Sequence, residues 1–83
     1  MVEFKVGKVT HYYDKIGVAV VELTAEIVVG DKIKFVWDGE EVLQSVESMQ
    51  MEHKQVDVAK KGETVGLKVD QPVKPGAEIL KQA

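Results

Sequence analysis

Along the chain the apolar residues fall in short clusters that alternate with polar ones and stop at Gly, Asp or Pro. That is the pattern of half-buried strands, not of helices. "EFKVGKVTHYY" sets Phe4 and Val6 on one face, and Gly7 then shifts the phase so that Val9 can point inward, as a bulge allows. "DKIG" turns the chain into "VAVVEL". In "IVVGDKIKFVW", Ile33, Phe35 and Trp37 alternate with Lys32, Lys34 and Val36, and Asp38-Gly39 follows as a tight-hairpin signal. "EEVLQSVESMQME" reads as one long strand whose inward phase moves from Val42 and Val46 to Met49 and Met51. Such a strand bends. "HKQVDVAKKG" then loses the alternation: Val56 and Ala59, three apart, predict one helical turn or a folded loop that plugs an end of the fold. "TVGLKV" restores it, with Val65, Leu67 and Val69 on one face and Gly66 marking a close backbone approach or a bend.

One phrase recurs. "VGDKI", "KGETV" and "PGAEI" each set a glycine (Gly30, Gly62, Gly76) three residues before a β-branched residue, with an acidic residue between. Glycine accepts the positive φ that a turn into a strand often requires, so these read as one reused turn. Six short strands in 83 residues predict an all-β protein, a small six-stranded antiparallel barrel that is closed or nearly closed and fills residues 1–83 as one domain. Closure removes exposed strand edges, which would otherwise template aggregation.

Composition narrows the chemistry. No cysteine is present, so the chain folds without disulfides or thiolate metal sites. No apolar run reaches membrane-spanning length and the N-terminus lacks a signal-like block, so a cytoplasmic protein without a membrane partner is expected. The net charge is −3, and all 11 positive residues are lysines. Without arginine's planar fork, sequence-specific nucleic-acid reading is disfavoured, and a local lysine patch offers only backbone contact.

The order "GKV", "VGDKIKF", "VESMQMEHKQVDVAKKGETVGLKV", "VKPGAEIL" resembles the second-domain β-barrel of translational GTPases, the elongation factor Tu group, across essentially the whole chain. Ser48, Met51, Val56, Ala59, Gly62, Val65 and Gly66 match that pattern in order and spacing. The same barrel pattern is also similar to the C-terminal domain of collagenase-like peptidases and their tRNA-modifying relatives. The first resemblance implies a non-catalytic elongation-factor-like module that contacts tRNA or ribosomal RNA. It departs from that family at Gln50, where an acidic residue precedes the Met in the factors.

Candidate chemistry is sparse. No G-x-x-x-x-G-K-[ST] occurs, so no GTP binding by this chain alone is expected. His11 and His53, with Asp14 and Glu52, fall short of the three protein ligands of catalytic zinc. Ser45 and Ser48 lack a G-x-S-x-G setting. No catalytic residue, metal or cofactor is expected. For RNA, the candidates are Tyr12 and Tyr13, one of which must face outward to stack, with His53, Lys54, Lys60 and Lys61 along the polar bridge. The alternative is a protein-docking module that works in trans with a larger enzyme or assembly.

Overall fold

A computed structural model describes residues 3–82. Its strands are β1 (Glu3–Tyr13), β2 (Val18–Leu23), β3 (Ile27–Val28), β4 (Lys32–Trp37), β5 (Glu40–Ser45), β6 (Met49–Met51), β7 (Lys54–Val56), β8 (Val58–Ala59), β9 (Thr64–Lys68) and β10 (Glu78–Gln82). No helix occurs among the described residues. Eight strands make one antiparallel sheet in the order β5-β4-β10-β1-β2-β9-β6-β7, and β3 pairs with β8 in a second.

The all-β class is as expected; the strand count exceeds the six expected. No ladder joins β5 to β7, so pairing alone leaves the large sheet open. Two features nevertheless draw β5 towards β9. The stretch 40–51 carries both β5 and β6, and β6 pairs with β9. The Gln44 side chain also mimics a peptide group: its Nε2 donates to the Lys68 carbonyl at 2.9 Å, and its Oε1 accepts from the Asp70 N–H at 3.2 Å. The phase change along this stretch is real, since Val42, Val46 and Met49 are all buried.

The bridge at 53–61 is corrected. It forms neither a helical turn nor a loop but the strands β7 and β8. β7 returns along β6 through a two-residue hairpin whose central residues, Glu52 and His53, both have positive φ, 53° and 66°. Val56 and Ala59 still pack inward, Ala59 completely.

The recurring phrase is one turn used three times. In 28–31, 60–63 and 74–77 the fourth N–H donates to the first carbonyl, and the third residue is a glycine with φ of 98°, 88° and 93°. That is a type II turn, with Pro75 in its favoured second position in the last copy. Each turn clasps a distant buried residue in the same way. The glycine N–H donates to the carbonyl of Val46, Leu23 or Val9, whose own N–H donates to the carbonyl of the turn's fourth residue. In the first two copies that fourth residue is acidic and accepts from the turn's first N–H: Val28 N to Asp31 at 2.9 Å, and Lys60 N to Glu63 at 2.7 Å. Ile33, Val65 and Ile79, three residues beyond each glycine, lie in the core.

The core joins Val6, Val9, Val21, Leu23, Ile27, Phe35, Met49 and Leu67 with the residues above, and no described polar side chain is buried in it. Gly7 lies at the expected bulge, where the register against β10 shifts between Lys5 and Gly7. The shift separates Phe4 from Val6. Val6 is fully buried while Phe4 stays 42% exposed, so the two do not share an inward face.

Candidate docking surface

With an apolar core, the chemistry of this protein lies on its surface. The β4–β5 hairpin turns at Asp38 and Gly39, with φ of 43° and 81°, the double positive φ of the tight hairpin that Asp-Gly favours. The turn fixes Trp37 at the end of β4, half-buried against the core. Opposite it stands the 74–77 turn, held by the two hydrogen bonds to Val9. Between them lies a cleft of about 510 Å³ lined by Val36, Trp37, Asp38, Lys74, Pro75, Gly76 and Glu78. Val36, Trp37 and Pro75 are its apolar lining residues, and Asp38 and Glu78 stand against Lys74 among the charged ones. A Cβ added at Gly76 would meet nothing within 4 Å, so the backbone there faces open space.

A second cleft, about 320 Å³, runs past Lys32, Ile33, Leu43, Gln44, Ser45 and Gln82. Leu43 is 63% exposed there. Beside it on the same strands, Lys34 bridges Glu3 at 2.9 Å and Glu41 at 3.0 Å. The hydrogen bond from Lys34 holds the Glu3 carboxyl below the usual glutamate range, and the bonds to Glu3 and then Glu41 raise the Lys34 ammonium.

The candidate RNA-contacting residues lie at two ends of the fold. Tyr13 pairs with Val18 and Tyr12 with Ala19, at one end of the β1–β2 ladder. Tyr12 packs against the core, whereas Tyr13 is 48% exposed and tilts against His11 with ring centroids 5.4 Å apart. Lys60 and Lys61 belong to the turn whose Gly62 bonds to Leu23, at the far end of β2. Val18 and Leu23 are five residues apart along that strand, or roughly 16 Å. β6 runs from the level of Leu67 to that of Gly66, which carries His53 and Lys54 towards the lysine end as well. The tyrosines thus stand at the end of β2 opposite to the lysines. Sequence reading did not single out Asp38, Lys74, Pro75 or Glu78 as site residues. The usable signal was a tryptophan beside Asp-Gly together with "KPG", two turns that rigid strands could set face to face.

What the geometry defines is a class: a small all-β domain that presents clefts on a rigid apolar core. Residues 4–79 match the family described as Peptidase family U32 C-terminal domain, and the chain belongs to that family. It is 36% identical over 78 residues to the uncharacterized protease MJ0090 of Methanocaldococcus jannaschii, covering 93% of this chain and 19% of that protein. This chain therefore spans about a fifth of the length of that relative. The crystal structure of the C-terminal domain of a Geobacillus thermoleovorans U32 peptidase superposes with a TM-score of 0.88 at 26% identity, covering 95% of this chain and 92% of that one. The selenomethionine variant of that domain matches in fold with a TM-score of 0.86, at 24% identity and with 95% and 99% covered.

These findings correct the functional expectation. The family is the peptidase one named second among the resemblances, not the translation-factor barrel. The elongation-factor-like module contacting tRNA or ribosomal RNA is overturned with it, and so is the kinship that favoured RNA as the partner.

Proposed function

We propose that this chain is a non-catalytic docking domain that works with a larger protein, as the C-terminal part of a peptidase or as a partner to one. The observation that carries the reading is the match of residues 4–79 to a domain defined as the C-terminal part of a peptidase family, in a chain one-fifth the length of its protease relative. Catalytic sites gather titratable groups in shielded clefts. Here the core of the described residues is apolar, and no three of their His, Asp or Glu side chains are grouped as a metal site would need. In this reading residues 1–83 act as one domain, and the sheet works as a closed barrel, shut by the stretch 40–51 and the Gln44 bridge. Rigid strand ends then present the clefts with little ordering cost on binding.

Immobilised protein exposed to extract from its source cells tests this. A protein larger than this domain should be retained in stoichiometric amount, before and after RNase treatment. Retention that vanishes with RNase, or none above a blank support, would contradict it.

A further inference from the structure

We propose that the Trp37–Pro75 cleft is the docking site for a protein segment that alternates lysine or arginine with aliphatic residues. This rests on the docking reading above and names the surface and the partner chemistry. Three features converge. The lining brings Trp37, Pro75 and Val36 together beside the open backbone of Gly76. Tryptophan in a half-buried, rigid setting is the residue type that most often anchors an interface. The rim carries Asp38 and Glu78, and Glu40 pairs with Trp37 across the hairpin, against the single lysine Lys74 in the lining.

Those carboxylates are free to act. Among the described residues the salt bridges use Glu3, Glu41, Glu47 and Asp31, not Asp38, Glu40 or Glu78. Lys8 faces Glu78 in the β1–β10 ladder but forms no salt bridge with it. A lining that sets two carboxylates beside a tryptophan and two aliphatic side chains favours a cation flanked by aliphatic groups. Position also suits docking, because two hairpin-like turns anchored by backbone hydrogen bonds hold the walls. The second cleft lacks this complementarity, since its one exposed aliphatic, Leu43, sits beside Lys32 and neutral amides.

The probes are an eight-residue peptide of alternating arginine and leucine and its glutamate–leucine counterpart, titrated into the protein. Trp37 is the sole tryptophan, so its emission reports the groove alone. The basic peptide should give a saturable change and the acidic peptide none. Asp38→Lys with Glu78→Lys should weaken the basic peptide by roughly tenfold, the worth of two exposed charge pairs. Glu26→Lys with Glu47→Lys makes the same change in net charge elsewhere and should leave affinity within about twofold. Equal binding of both peptides, no binding of either, or equal weakening by both double variants would overturn the proposal. The immobilised groove variant separates the two readings. If it still retains the protein that the parent retains, the groove assignment fails and docking stands; if the parent retains nothing, the docking reading itself falls.

Discussion

Single residues decide how closely the strands approach. A Cβ at Gly7 would lie 2.9 Å from the Glu22 carbonyl oxygen and 3.0 Å from a Val21 methyl, so backbone must move to admit it. Gly7→Ala should therefore cost about 1–3 kcal/mol in urea unfolding. At Gly66 the nearest atom is a Val18 methyl at 3.1 Å, which a side-chain adjustment can relieve, and Gly66→Ala should cost clearly less. A reversed order would show that the bulge is not the tighter contact. Both glycines stood out in the sequence because they interrupt apolar alternation, and the three turn glycines because they repeat at a fixed offset from a β-branched residue. Phe4 did not show its exposure: a period-two reading cannot foresee that the bulge at Val6 puts the two residues out of phase.

At the scale of elements, the β6–β7 hairpin was hidden for a physical reason. Its turn residues are Glu52 and His53, which lack the Asn-Gly chemistry that marks such turns, yet both adopt positive φ. His53→Gly should relieve that strain and raise stability by up to about 1 kcal/mol, read as a melting temperature several degrees higher. An unchanged or lower value would contradict the hairpin geometry. The Gln44 bridge makes the opposite prediction. Gln44→Ala removes two hydrogen bonds between β5 and the end of β9 and should cost about 1–2 kcal/mol, where a change below the error of urea melts would mean that it holds nothing. The Glu3–Lys34–Glu41 cluster adds a pH dependence. Because Glu3 is held below its ordinary value, its contribution is present at neutral pH and is lost as the pH falls through the lower end of the carboxylate range. Because Lys34 is raised, its contribution persists to alkaline pH and is lost only as the pH rises past its raised value. Lys34→Met should flatten the acid limb of the stability profile, and an acid limb identical to the parent's would show that the cluster does not contribute.

For the whole molecule, the sequence disclosed the class and misdirected the kinship. Alternation, turn glycines and a lack of helical periodicity are local signals, and they were enough for an all-β chain. Which family owns the pattern is not local: Met51, Val56, Ala59, Val65 and Gly66 lie in strands and Gly62 in a turn, positions that any small β fold must fill. The candidate surface was hidden for a related reason: Trp37 and Pro75 are 38 positions apart and line one cleft only because β4 and β10 pair. Amide hydrogen exchange, on the domain alone and bound to its retained partner, reads the proposed docking surface residue by residue. Protection should rise at residues 36–38 and 74–78 and stay unchanged at the lysine end, 53–61. Protection confined to 53–61, or none anywhere in the bound protein, would contradict it.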